Sequence, residues 1–318
     1  MKKILITGAT GFAGTHLTNL LHQNPENKLF GTSFTSVTNT DTSITLEKVD
    51  LLDQDVTEAM LGKIKPDEVY HLAALSAPSL SFENPINTVT NNINAEIILL
   101  EGLRKLNLLS TKVLIISSAE IYGKVSPKNI PMNEDTPFFP VSPYAVSKIA
   151  QDFLALQYQL AYNMHIVRVR PFNHIGPGQS PSFAVAAFAK QIAEIEKGEK
   201  KPVLHVGKLN AKRDFTDVRD MVKAYVLALK MGTAGEVYNI GSDKSITIEH
   251  LLEMIINNSK VKVSVETDQS KFKPIDTPEL LCNSQKFRNL TGWKPEITLE
   301  QTIQDILSYW RHQVSIES

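Results

Sequence analysis

Residues 7–14 read TGATGFAG, directly after the apolar run Lys3–Thr7 and at the head of a helix-period segment over 12–23. No other stretch limits the fold as strongly. Gly8 permits a tight turn. Gly11 lets the backbone approach a pyrophosphate at the helix N-terminus, and Gly14 lets helix and strand pack closely. The competing reading is a glycine turn that binds nothing, but the strand–turn–helix context favours a dinucleotide. Thr10, Phe12 and Ala13 fall within the same turn. Further apolar runs at Lys28–Ser33, Thr45–Val49, Glu68–Leu72, Lys112–Ser117 and His165–Arg170 alternate with helical patterns near 54–63, 86–106 and 142–163. These runs show little in–out alternation, which predicts strands covered on both faces. The fold class expected is α/β: a Rossmann-type, doubly wound parallel sheet with a smaller C-terminal α/β substrate lobe.

The lobe is expected where the rhythm breaks, in the Pro/Gly-rich loop after Arg170. Residues 1–170 are assigned to an NADP-binding domain, with 215–243 returning to it through a helix near 217–230 and a strand Val237–Ile240. Residues 171–214 and 244–318 form the substrate domain, beginning with a helix near 183–197. The run SVTNTDTS (36–43) predicts a surface loop. Net charge is −1, so no global field favours nucleic acid or an anionic membrane. The single cysteine, Cys282, excludes an internal disulfide. The apolar run of MKKILITG ends at Gly8, too early for an export signal, and no stretch is long and apolar enough for a membrane span. A cytoplasmic protein is expected. The eight histidines show no ligand spacing with Cys282 or paired acids, so no metal site is expected.

The sequence offers a reacting centre in SPYAVSK (142–148), where Tyr144 and Lys148 share one helix face. A tyrosine exchanges protons with a carbonyl or alcohol oxygen, and a nearby ammonium lowers its pKa. LIISSAEIYG (114–123) places Ser118 at a strand end to hold the same oxygen, with Glu120 just beyond. Glu120 is either a loop acid with a local capping role or a group that touches substrate. The second strand ends Gly31-Thr32-Ser33-Phe34, with no acid to hold ribose hydroxyls or repel a 2′-phosphate, so NADP (NADPH) is expected rather than NAD. Ser33 and Leu51 are further candidate cofactor contacts. Asp50 either meets the adenine amine or caps a helix.

TGATGFAG, HLAA (71–74), ISSAEIYG and SPYAVSK together resemble the extended short-chain dehydrogenase/reductase superfamily, whose members modify nucleotide sugars. The resemblance runs from Gly8 to about Trp293. It implies hydride transfer at a nicotinamide, with Tyr144 as acid/base, Lys148 assisting and holding the nicotinamide ribose, and Ser118 bonding the substrate oxygen. It implies cofactor contacts at Leu72, Ala73, Ala74, Asn92 and Phe172, and a homodimer built on a four-helix interface. One departure is Ala95, where the family often has glycine three residues after Asn92.

In the second half, RPFNHIGPGQ (170–179), FAKQI (188–192), RDFTDVRD (213–220) and TGWKPEI (291–297) are similar to the reductases of GDP-linked 4-keto-6-deoxy sugars within that superfamily. This implies a GDP-sugar substrate, contacted by Ser76, Ser118, Glu120, Asn173, Lys190, Arg213 and Lys273. Lys190 also reads as a solvated helix charge, and Arg213 as a partner of Asp214 or Asp217. Lys273-Pro274 stands where the family tends to carry Arg-Pro. His174 reads as a loop-structuring group. The GDP-mannose 4,6-dehydratases, which use a glutamate at the place of Glu120, are the second reading, and 4-epimerases the third. A nucleotide-binding sensor without turnover remains a reading from another class, one that has no need of Tyr144 and Lys148.

Overall fold

A computed structural model describes residues 1–34, 43–272, 274–275 and 277–316. The first half builds β1 (Lys2–Thr7), α1 (Phe12–His22), β2 (Asn27–Ser33), β3 (Thr45–Lys48), α2 (Gln54–Ile64) and β4 (Glu68–His71). It continues with α3 (Pro78–Glu83), α4 (Pro85–Lys105), β5 (Lys112–Ile116), α5 (Pro143–Tyr162) and β6 (Ile166–Pro171). The second half adds β7 (Asn173–Ile175), α6 (Ala184–Glu196), β8 (Val203–Val206), β9 (Lys212–Asp217), α7 (Val218–Met231) and β10 (Val237–Ile240). Beyond it lie β11 (Ser245–Thr247), α8 (Ile248–Asn257), β12 (Ser264–Thr267), β13 (Glu279–Leu280), α9 (Gln285–Thr291) and α10 (Leu299–Ile316).

Seven strands form one parallel sheet in the order β10-β6-β5-β4-β1-β2-β3. Strand order reverses between β1 and β4, and ligands bind outside the strands' carboxyl ends at such a switch point. Val113, Leu114 and Ile115 of β5 are all fully buried, because α1 and α7 cover one face while α2, α4 and α5 cover the other. This is the Rossmann-type sheet expected from the unalternated runs. A third core, built from α6, α8, α10 and β8, fills the lobe. The lobe also carries a small mixed sheet in which β9 pairs β7, β11 and β13. The helix near 217–230 begins at Val218, after Asp217 ends β9. Most of SVTNTDTS, residues 36–42, lies outside the described residues, as does Lys273.

The helix that carries the reacting pair is placed by local chemistry. Ser142 caps α5 by accepting the Ala145 N–H, Pro143 sets the first helical φ, and Asn163 closes the helix at φ 54°. Asp152 on α5 accepts Arg168 at 2.6 Å and Arg170 at 2.8 Å, which ties the helix to β6. The TGWKPEI segment docks on α7 through another acid. Asp220, fully buried, accepts the backbone N–H groups of Glu296 and Ile297 at 2.8 and 2.7 Å, while the Trp293 indole donates to the Asp220 carbonyl.

Replacing Asp220 by alanine takes the buried acceptor from two part-buried amides and from Lys223, and is expected to lower stability by about 1–3 kcal/mol. A lowered urea midpoint, with faster amide exchange in α10, is the measurement that checks it.

Candidate active site

The carboxyl end of β5 delivers Ser117 and Ser118 to the switch-point side of the sheet. Ser118 accepts the Glu120 N–H at 3.1 Å and so opens a short 3₁₀ turn over Ala119–Ile121. That turn fixes where Glu120 points. The Ser117 hydroxyl donates to the Lys148 carbonyl at 3.3 Å, joining the strand end to α5. The first turns of α5 bring in Tyr144, 7% exposed, and Lys148, 5% exposed. Burial pushes the Tyr144 phenol well above its ordinary pKa. The Ser118 hydroxyl, within hydrogen-bonding reach, pulls it back, and the Glu120 charge pushes it further up. Tyr144 is therefore held protonated, as a proton donor must be.

Sequence reasoning makes Lys148 the charge that lowers this phenol. The structure instead seats the Lys148 Nζ on the Ile116 carbonyl at 2.8 Å, and the charge that bears on Tyr144 is that of Glu120. Burial pushes Lys148 down to about 8.

The glycine turn fits a dinucleotide. Gly8 lies at φ +68°, and a Cβ there would sit 3.0 Å from the Ala73 backbone. A Cβ on Gly14 would meet the Gly8 carbonyl at 2.2 Å, so only glycine permits this closeness of helix and strand. Gly11 caps α1 without any side-chain bond, which leaves the first amides of the helix to a ligand. Phe12 and Ala13 follow in the first turn, half-buried. The Thr10 hydroxyl donates to Ser33 at 3.1 Å, and the Ala73 N–H donates to Thr7 Oγ1. Leu72 and Ala74 are half-buried at the β4 end, Leu51 is buried, and Phe172 is sealed with its N–H on the Ile240 carbonyl. Asp50 does not cap α2. Asp53 does so, accepting the Val56 N–H, whereas exposed Asp50 accepts Leu52 N–H in the turn before it. Asn92 is wholly buried, and its side chain holds both the N–H and C=O of Leu75 and donates to Ser147. It fastens the strand-end loop to α5. The helix α4 runs unbroken through Ala95.

On the substrate side, Glu120 lines a small cavity with Ser142, Phe82 and Thr277. The Thr277 carbonyl accepts Arg213 at 2.8 Å, so Arg213 holds one wall residue of that cavity from behind without lining it. Asp214 and Asp217 are engaged elsewhere: Asp214 by Ser242 and the Asp243 and Cys282 amides, Asp217 by Arg219 and Thr302. Lys190 is not among the residues that line the small cavity. It lies 5.4 Å over the Trp310 ring and lines a cleft of about 910 Å³ with Lys200, Lys201, His205 and Lys271. Asn173 opens β7 half-buried, and Ser76 is exposed beyond β4. His174 stacks on Phe12 at 5.9 Å and 5°, so it ties the RPFNHIGPGQ loop to the head of α1. Asp214, Asp243 and Cys282 converge within 4.8 Å, but their acceptors take backbone and serine donors, and the group braces the lobe sheet.

Sequence reasoning misses the cleft lysines, although KGEKK (197–201) carries two of them. It also misses two buried titratable groups beside Lys148. His71 gives Nδ1 to a bond with Thr7 at 2.9 Å, and burial followed by the Lys148 charge pushes it down to about 3. Glu96 on α4 is fully buried.

The sequence pattern of the GDP-mannose 4,6 dehydratase family matches residues 5–306. GDP-6-deoxy-D-mannose reductase of Pseudomonas aeruginosa is 32% identical, covering 99% of each chain. GDP-mannose 4,6-dehydratase of Vibrio cholerae is 28% identical over 96% of this chain and 93% of its own. The solved structure of RMD from Pseudomonas aeruginosa complexed with NADPH superposes with a TM-score of 0.84, at 33% identity, over 98% of this chain and 100% of that one. Among the described residues no helix is long and apolar enough to cross a membrane.

The His71 shift has a testable sign. Below about pH 6.5 the unfolded chain binds a proton at this imidazole, and the folded chain does not until about pH 3. Stability therefore falls as pH falls through that window, by about 1.4 kcal/mol per pH unit for one proton. His174, also pushed down by burial, steepens the decline. Urea midpoints measured from neutral pH to about 5, before most carboxylates titrate, are expected to drop in the native protein and to drop less steeply in His71→Gln.

Proposed function

The chain belongs to the GDP-mannose 4,6-dehydratase family, and within it we propose that this protein is an NADPH-dependent reductase of GDP-4-dehydro-6-deoxy-D-mannose. The observation that carries the reading is the protonated Tyr144 beside Ser118 at the switch point, in a chain matched end to end by a reductase of that sugar class. A bound NADPH supplies the hydride that reaches the C4 carbonyl carbon. Tyr144 delivers its proton to the carbonyl oxygen, which becomes the C4 hydroxyl, while Ser118 holds that oxygen. Burial above all, and the Glu120 charge in smaller part, favour the neutral phenol, the charge state a reduction requires. Lys148 holds the nicotinamide ribose. Gly8, Gly11 and Gly14 seat the pyrophosphate, with Thr10, Phe12, Ala13, Ser33, Asp50, Leu51, Leu72, Ala73, Ala74, Asn92 and Phe172 around the cofactor. The missing acid at the end of β2 supports NADPH over NADH.

Arg213 and Asn173 receive the diphosphate of the GDP-sugar, with Ser76 at the edge of the sugar pocket. Lys190 brings positive charge from its cleft, where neighbouring lysines add to it. Residues 171–214 and 244–318 act as the substrate domain. A homodimer forms through α4 and α5; on α5, Phe153 and Leu160 are 50% and 73% exposed.

The 4,6-dehydratase reading is supported by the family match, by the 28%-identical dehydratase, and by Glu120, whose N–H meets Ser118 and whose charge bears on Tyr144. The two readings separate on the cofactor. With freshly made keto sugar, NADPH absorbance is expected to fall one-to-one with product, and GDP-mannose is expected to give nothing. Water loss from GDP-mannose without added reductant would sink the reductase reading. Tyr144→Phe is expected to lower kcat by about 10²–10⁴-fold with the urea midpoint retained. Glu120→Gln is expected to keep a substantial part of the reductase rate, which product assays over a pH series would check.

A further inference from the structure

An acid-free end to β2 tolerates a 2′-phosphate but does not attract one. A phosphate monoester is close to a dianion at neutral pH, and it binds where a cation and hydroxyl groups answer it. Residues 29–47 contain no lysine or arginine. Lys28, at the other end of β2, lies over the Phe30 ring. The next cation along the chain is Lys48, the last residue of β3.

The sheet brings Lys48 to the end of β2. In the parallel register of β2 and β3, Gly31 lies beside Leu46, Thr32 beside Glu47 and Ser33 beside Lys48. Neighbours of this kind point to the same face, and successive residues alternate between faces. Both faces are marked by contacts. A Cβ on Gly31 would meet the Ala9 and Leu46 side chains at 2.6 and 2.8 Å, so Gly31 and Leu46 belong to the face that carries the glycine turn. Glu47 points to the opposite face, where Lys63 of α2 takes its carboxylate, and Val49 packs in the core on that side. Ser33 returns to the first face, and its hydroxyl accepts that of Thr10 from the glycine turn at 3.1 Å. Lys48 therefore stands on the glycine-turn face, one interstrand step of about 5 Å from Ser33. It is exposed, and among the described residues it makes no ion pair.

Backbone bonds hold this corner together. The Gly8 N–H donates to Thr32 Oγ1 at 3.2 Å, the Ala9 N–H to the Thr32 carbonyl at 3.1 Å, and the Val49 N–H to the Ser33 carbonyl at 3.1 Å. A dinucleotide seated on the glycine turn places its adenosine ribose at this end of β2. Asp50, two residues beyond Lys48, is turned to its own loop, where it accepts the Leu52 N–H. We propose that Lys48 is the residue that selects NADPH over NADH: its ammonium, beside the Thr10 and Ser33 hydroxyls, receives the 2′-phosphate of the cofactor. The assignment deepens the proposed NADPH dependence and rests on it, but it is independent of the sugar.

Calorimetric titrations of the full chain, without any sugar, test it. Two ligand pairs differ only in the 2′-phosphate: NADP⁺ against NAD⁺, and adenosine 2′,5′-bisphosphate against AMP. Wild type is expected to bind the 2′-phosphorylated member of each pair more tightly, by a margin that shrinks as salt rises. Lys48→Met is expected to weaken those two ligands by about 10- to 100-fold while NAD⁺ and AMP move little. Lys48→Arg, which keeps the charge, is expected to keep most of the preference. A urea midpoint equal to that of wild type shows that the loss in Lys48→Met is one of binding and not of folding. Equal losses for both members of a pair, full NADP⁺ affinity in Lys48→Met, or a wild type without preference would overturn the proposal.

Turnover separates this assignment from the reading it rests on. If Lys48 selects NADP⁺ but the keto sugar is not reduced, the reductase reading fails and the role of Lys48 stands. If the keto sugar is reduced equally well with NADH and NADPH and the titrations show no preference, the reductase stands and the role of Lys48 fails.

Discussion

The position of everything reactive depends on one buried carboxylate. Asp152 takes two arginines from one strand, Arg168 and Arg170, with side-chain exposures of 7% and 4%. A single buried acid facing two cations is strongly destabilising to break, by about 3–5 kcal/mol when one partner is removed. The contact therefore sets how deep α5 sits against the sheet, and with it the height of Tyr144 and Lys148 above the strand ends. Arg170 extends the restraint outward. It donates to the Tyr122 hydroxyl and to the Glu134 carbonyl, and Tyr122 in turn donates to Asn239 at the end of β10. One chain of charge and hydrogen bonds thus joins the reacting helix, the central strands and the return strand from the lobe.

The lobe is coupled to the sheet by a second set of contacts, which are mostly acidic and aromatic. Asp217 caps α7 and binds Arg219, which also reaches Asp305 on α10. Asp220 grips the chain ahead of α10, and His174 stacks on Phe12 at the head of α1. The last contact joins the two halves directly, since the ring at the head of α1 stacks on the loop that leads to the lobe.

The sheet and its glycine turn are legible in the sequence because their causes are local. A strand covered on both faces is apolar throughout, and three glycines at fixed spacing have one mechanical use. Tyr144 and Lys148 are legible for a similar reason, since four residues make one helical turn. The lobe is not. β9 reads KRDFTD, and no pattern of polarity marks it as a strand; its neighbours β7, β11 and β13 come from distant segments. Asp50 and Asp53 are indistinguishable as caps until the turn is built. Glu96 is the hardest case. In INAEIILLEGL it looks like an ordinary helix charge, and only the partner helix α5 decides that it faces inward. The same holds for Lys148, whose bond to the Ile116 carbonyl arises from the chain's path and not from its spacing to Tyr144.

Cys282 carries a further consequence. It is 1% exposed, with its N–H on Asp214 and a glycine, Gly241, pressed against its side chain. Burial and the adjacent Asp214 and Asp243 charges push its thiol far above the ordinary range. The native chain therefore presents no thiolate to oxidants or alkylating agents, although cysteine is the most nucleophilic side chain it owns. Reaction must wait until the junction of β9, β13 and the loop after β10 comes apart. The lone sulfur thus works as a built-in clock for the opening of the lobe: its labelling rate counts how often the substrate side of the molecule lets go of the sheet.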